Sequence, residues 1–98
     1  MPADPRAVIA AREELLDALR GILIRNLDVR REPDEIDPDT PLFGSGLGLD
    51  SVDAVELSLA VESAYRVALP GGPRSRAALR TLNTLADLIL ASRAEGGR

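Results

Sequence analysis

Most of the chemistry open to this chain lies in Gly48-Leu49-Asp50-Ser51-Val52-Asp53-Ala54-Val55-Glu56-Leu57, a loop expected to run into a helix with a serine at its start. Asp50 suits the cap position, because its carboxylate can accept hydrogen bonds from the unpaired N–H groups of a first helical turn. Asp53 stands three residues on, as in a capping box. Ser51 then falls at the first helical position with its hydroxyl not needed as the cap. There the helix dipole and the free N–H groups favour an anion such as a phosphate, so a phosphodiester on Ser51 fits the local electrostatics. The bland reading is an ordinary serine near a helix start, one of its commonest places.

Other chemistry fits poorly. Gly44-Ser45-Gly46-Leu47-Gly48-Leu49 has the glycine density of a phosphate-cradling loop. The dinucleotide fingerprint, however, needs glycine or alanine at Leu49 after a strand, and the Walker pattern needs a lysine that this chain lacks. A flexible turn steering the chain into the helix is the better reading. Asp37 and Asp39 begin a calcium-loop spacing that then lacks its third ligand and glycine, and both are read as solvated. With no cysteine and no histidine, Cys/His zinc sites, disulfides and histidine-activated nucleophiles are excluded, including a hydrolase built on Ser51. No metal site and no catalytic residue is expected, and any thiol needed for thioester chemistry has to come from an added group.

At 100° per residue the Ser51 helix carries two apolar stripes. Ala54, Leu57, Val61, Ala64 and Tyr65 share one side, which suits the core. Val52, Val55 and Leu59 gather on the other, flanked by Asp53, Glu56 and Glu62, with no basic residue between Asp50 and Tyr65. A small apolar centre with an acidic rim is the pattern of a surface that receives a partner, so Val52, Asp53, Val55, Glu56, Leu59 and Glu62 form the candidate docking face.

The run Leu49 to Leu57 resembles the Asp-Ser-Leu-Asp motif and following helix of acyl carrier proteins. The likeness reaches from about Leu15 to Leu90, strongest from Pro41 to Leu69 and weakest from Gly71 to Arg80. It implies an all-α fold: a small four-helix bundle of three main helices and a short third one, with a long loop between helices 1 and 2. It also implies that Ser51 carries 4'-phosphopantetheine, taken from coenzyme A by a phosphopantetheinyl transferase that supplies its own magnesium ion, and that Asp50 serves both as helix cap and in recognition by that transferase. The chain would hold acyl groups as thioesters and deliver them to acyltransferases, ketosynthases and other enzymes of fatty-acid, polyketide or related biosynthesis, doing no chemistry itself. Two alternatives stand beside this. A peptidyl or aryl carrier usually has a Gly-Gly-x-Ser entrance where this chain has Leu49-Asp50, and an unmodified helical module would dock a partner on Val52, Val55 and Leu59 without any arm. The departure from the family lies in Pro70 to Arg80, where Arg74, Arg76 and Arg80 replace a segment that is usually acidic.

Composition agrees with this reading. The 98 residues allow one domain, 45% of them are hydrophobic and only 2% aromatic, so the core has to be aliphatic and helices are favoured over a sandwich. Charge is −8 over residues 1–65 and +4 over residues 66–98, giving the overall −4. An acidic front with an apolar centre suits basic protein partners, and neither nucleic acid nor an anionic membrane. No apolar run approaches the roughly 20 residues of a membrane span. The first residues lack the pattern of a signal peptide, so a cytoplasmic monomer is expected.

Along the chain, Asp4-Pro5 starts a long first helix whose stripe is Val8, Ala11, Leu15, Leu19, Ile22 and Leu23, widened by Leu16 and Leu27, ending near Asn26 to Val29. Arg30 to Leu49 is a long connection, pinned by Ile36, Leu42, Phe43, Leu47 and Leu49. Pro70 and Gly71-Gly72 end the segment after Tyr65, with Val67 and Leu69 reaching back to the core. Pro73 to Leu79 makes the short third helix. Thr84 caps the last one, in which Leu85, Leu88, Ile89 and Ser92 share a face, with Leu82 just before it as a staple-like contact. The domain is expected to span residues 1–98 with its core at about 6–92, and residues 1–4 and 94–98 are expected to be mobile.

Overall fold

The computed structural model describes residues 5–69 and 72–96, with only the backbone described at 72, 74 and 94–96. Among the described residues four helices follow one another: α1 (Pro5–Asn26), α2 (Ser51–Tyr65), α3 (Gly72–Ala78) and α4 (Leu82–Gly96), with a one-turn 3-10 segment at Pro33–Glu35 inside the long connection. Among the described residues there is no strand; Phe43 and Leu49 form a lone bridge. The all-helical bundle expected from the sequence is the one observed. None of the described helices is long and apolar enough to cross a membrane.

The core is aliphatic. Leu19 and Leu23 of α1, Leu57 and Val61 of α2, and Leu82, Leu85, Ala86 and Ile89 of α4 are buried together, with Leu42 and Ile36 closing it from the long connection. Each fully buried aliphatic side chain contributes about 1.5–3 kcal/mol over its exposed state. This cluster therefore fixes how α2, and with it Ser51, is held.

Helix α1 begins at Pro5, whose fixed φ and missing N–H suit a first turn. Asp4, expected as its cap, lies outside the described residues. The buried stripe begins only at Leu15; Val8, Ile9 and Ala11 are exposed, so the first two turns extend past the bundle and their part of the expected core stripe is uncovered. At the other end the chain turns through Asp28 at φ 58, a left-handed position that aspartate tolerates. There the Leu23 carbonyl accepts from both Leu27 and Val29.

The long connection is pinned more firmly than its glycines and prolines imply. Ile36, Leu42 and Leu49 are buried, and Phe43 and Leu47 pack partly against the core. Arg20 Nε donates to the Ile36 carbonyl at 2.9 Å, Leu42 N–H to the Arg80 carbonyl at 2.9 Å and Asn83 N–H to the Pro38 carbonyl at 3.0 Å. Gly46 is no flexible hinge. A Cβ there would lie 1.7 Å from the Pro41 carbonyl oxygen, the same oxygen that accepts from Leu47 N–H at 3.0 Å.

The last helix starts earlier than the sequence reading placed it. Thr81 is the cap: its Oγ1 accepts from Thr84 N–H at 3.1 Å, and Thr84 Oγ1 accepts from Thr81 N–H at 3.0 Å. Thr84 is thus the third residue of the helix and the reciprocal partner in a capping box. Leu82, expected as a staple outside the helix, is its first residue and fully buried. The helix runs on to Gly96, past the expected core boundary at 92; residues 1–4 and 97–98 lie outside the described residues. The short third helix is displaced by one residue, Gly72–Ala78 in place of Pro73–Leu79. Of the breakers expected before it, Pro70 and Gly71 also lie outside the described residues.

Candidate functional site

Ser51 is the first residue of α2 and is exposed. Asp50 precedes it in extended conformation and caps the helix. Asp53 N–H donates to Asp50 Oδ1 at 3.0 Å, and Asp50 N–H donates to Asp53 Oδ2 at 3.0 Å. This reciprocal pair satisfies two backbone donors with side chains on either side of the serine. The Ser51 hydroxyl makes no hydrogen bond among the described residues, and its own N–H, with that of Val52, is left at the positive end of the helix dipole.

The approach to Ser51 is rigid. Leu49 N–H donates to the Leu42 carbonyl at 3.0 Å, Leu49 is buried, and Gly48 adopts φ 76, a region in which a Cβ would be strained. The cap and the buried Leu49 hold the hydroxyl outward between them. An exposed hydroxyl, free N–H groups and an unobstructed helix end fit a covalently held phosphodiester. Among the described residues no three acidic side chains come together as a metal site.

The two stripes of α2 separate as the helical period requires. Leu57 and Val61 are completely buried, Ala54 and Tyr65 are half-buried, and Ala64, assigned to the core from its spacing, is exposed because it lies at the end of the helix beyond the packed cluster. On the opposite side Val52, Val55 and Leu59 are 63%, 59% and 61% exposed, which is unusual for three aliphatic side chains on one helix of a small bundle. Asp53 and Glu56 flank them. Glu62 does not belong to that rim in the way its spacing suggested, because its Oε2 accepts from Leu69 N–H at 2.9 Å and is half-buried. It ties down the segment after α2, where Val67 returns to the core.

Two further groups escaped the sequence reading. Asp39 is not simply solvated: its Oδ1 accepts from Asn83 Nδ2 at 2.6 Å, while Asp37 Oδ1 accepts from Asp39 N–H at 2.8 Å. Tyr65 lies under the Arg93 guanidinium, 5.4 Å from ring centroid to cation. Burial pushes its phenol above the ordinary value, and the nearby Arg93 charge opposes that shift.

Beside α2 an apolar pocket of about 300 Å³ is lined by Phe43, Ala54, Arg76 and Leu79. It makes the surface around the first turns of α2 continuous with that of α3. Arg76 and Arg80 are exposed and take part in no ion pair or side-chain hydrogen bond among the described residues. Among the described residues neither pairs with the acidic loop from Glu32 to Asp39 or with Glu62; the Arg74 side chain lies outside the described residues.

Residues 17–89 match a family model described as a phosphopantetheine attachment site. Among curated proteins, the chain is similar to one named as a mitochondrial acyl carrier protein of Schizosaccharomyces pombe, 38% identical over 56 residues, covering 55% of this chain and 49% of the relative. The chain thus spans about half the length of that relative. No solved structure matches it.

Proposed function

The chain belongs to the family of proteins with a phosphopantetheine attachment site, a family of carriers and not of enzymes, and from that premise we propose that Ser51 is the hydroxyl that holds the 4'-phosphopantetheine arm of an acyl carrier protein. One observation supports this most directly. The Asp50–Asp53 pair takes over the capping that a serine at this place would otherwise perform, leaving Ser51 exposed at the helix start. A phosphopantetheinyl transferase would join the Ser51 oxygen to the pantetheine-bearing phosphorus of coenzyme A, with the adenosine bisphosphate half leaving and the serine proton passing to the transferase. Asp50 then serves twice, as the cap and as part of what the transferase reads. The terminal thiol of the arm would carry acyl groups as thioesters.

The exposed stripe Val52, Val55 and Leu59, with Asp53 and Glu56 beside it, is proposed as the face to which the transferase and the acyl-processing enzymes dock; Glu62 contributes less because its carboxylate is committed to Leu69. Fatty-acid, polyketide or related biosynthesis is the proposed setting, the working unit is proposed to be a monomeric single domain, and cytoplasmic action is retained as part of the reading. The yeast relative is named as mitochondrial, and imaging a tagged chain decides between the two compartments.

The test is intact mass after incubation with coenzyme A and a broad-specificity transferase. A single addition to the wild type is expected, and none to Ser51→Ala, whose circular dichroism stays native because Asp50 keeps the cap. Addition to the Ser51→Ala chain would overturn Ser51 as the attachment point, and a wild type left unmodified under conditions that convert other carriers would favour an unmodified interaction module.

A further inference from the structure

We propose that α3 is the basic half of a two-signed docking surface, so that the enzymes served by this carrier present cations to α2 and carboxylates to α3. The inference rests on the carrier reading above and names the kind of partner it requires.

The two halves are contiguous and opposite. Ala54 of α2 and Arg76 of α3 line the same apolar pocket with Phe43 and Leu79, so one partner face covering the start of α2 reaches α3 as well. On the α2 side the exposed Val52, Val55 and Leu59 are accompanied by Asp53 and Glu56, and α2 itself holds no cation. On the α3 side Arg76 and Arg80 are exposed, and residues 72–80 contain no acid.

Among the described residues neither guanidinium has an ion-pair partner. The acid nearest to them in sequence, Asp87, pairs with Arg12, while Glu62 accepts from Leu69 N–H and Asp39 from Asn83. Exposed unpaired charges beside an apolar patch act mainly on encounter rate and partner choice, by steering the complementary face and by opposing a like-charged one. A partner with a uniformly cationic face gains from Asp53 and Glu56 but is repelled at Arg76 and Arg80. A partner with an acidic element placed against α3 satisfies both halves.

The probe is a phosphopantetheinyl transferase with a cationic carrier-binding face. Its kcat/KM is measured on the apo chain, on Arg76→Glu/Arg80→Glu, and on Arg30→Glu/Arg31→Glu, which makes the same change in net charge on the exposed loop after α1. The same three backgrounds carrying Ser51→Ala give the dissociation constant, which reads the surface independently of modification. Reversal on α3 is expected to raise kcat/KM and tighten binding by about 3- to 10-fold at low salt, with less than about 2-fold for the loop variant, and the gain should vanish near 0.5 M salt, where screening acts within a few ångströms.

Converting the transferase's cations singly to glutamate should then reveal a position at which the wild-type carrier binds more tightly and the α3 variant more weakly. An α3 variant of native circular dichroism with no gain, or an equal gain from the loop variant, overturns the proposal. Failure of the carrier reading shows separately, as a wild type that binds the transferase but acquires no arm.

Discussion

At the scale of single residues, Gly46 shows how much of the approach to Ser51 is settled by contact and not by flexibility. A methyl group there meets the Pro41 carbonyl oxygen at 1.7 Å, and backbone cannot yield as the tip of a side chain can. Gly46→Ala is therefore expected to destabilise by about 2–4 kcal/mol. At Gly44 the space is open and the objection is only φ 69, so Gly44→Ala is expected to cost about 1 kcal/mol. Urea denaturation of the two variants separates these causes, and equal losses would mean that the loop relaxes around Gly46.

Tyr65 offers a second reading at this scale, because it is the only tyrosine and there is no tryptophan. Burial disfavours the phenolate, so the folded pKa lies above the unfolded one. The stabilisation this implies is complete below the unfolded value near 10 and is lost as pH rises through the folded value, so stability should fall only in strong alkali. Removing the cation with Arg93→Ala should raise the ultraviolet titration midpoint further. A midpoint that falls instead would mean that the Arg93 side chain shields the ring from water more than its charge favours the phenolate.

At the scale of elements, α2 performs two tasks with one period. Val55→Asp and Glu56→Arg are both on the exposed side, and both are expected to slow transfer to partner enzymes while circular dichroism stays native. The Glu56 effect should weaken as salt rises past 0.1 M, where charges more than about 10 Å apart are screened. Unfolding in both variants would show that the exposed stripe supports the bundle. This separation was legible in the sequence because a 3.6-residue period places Leu57 and Val61 opposite Val52, Val55 and Leu59 whatever surrounds the helix, and the Asp50–Asp53 cap was legible because its signal is local.

The cap of α4 was misplaced for a reason of the same kind. Thr81 and Thr84 are both good cap residues, and the reciprocal hydrogen bonds between them, with Leu82 already helical, decide for Thr81. Period alone likewise ran the core stripe through Val8 and Ala64, since it does not record where the packed neighbours stop.

At the scale of the whole molecule, the features that sequence patterns did not reveal are those joining distant segments, and Asn83 is their centre. Arg12 Nη2 donates to the Asn83 carbonyl at 3.1 Å and to its Oδ1 at 3.0 Å, and Arg12 Nη1 pairs with Asp87 at 2.9 Å. Asn83 Nδ2 donates to Asp39, and Asn83 N–H to the Pro38 carbonyl. One side chain thus binds α1, the long connection and α4, across sequence separations of 71 and 44 residues. No local propensity encodes such a link.

Asn83→Ala removes the two hydrogen bonds made by its side chain and leaves the two made by its backbone, its N–H to Pro38 and its carbonyl accepting from Arg12, so a loss of about 1–2 kcal/mol is expected. The loss should be uneven: hydrogen exchange should quicken at Asn83 and Leu42, whose amides hold the connection to Pro38 and Arg80, more than at the interior amides of α2, which are held within the helix. Because the connection leads into Leu49 and Asp50, modification of Ser51 should persist but with a raised KM for the apo chain as transferase substrate. Unchanged exchange at Leu42 and Asn83 in a variant that is nonetheless destabilised would show that Asn83 supports α4 alone, leaving the connection held by Ile36, Leu42 and Leu49 in the core.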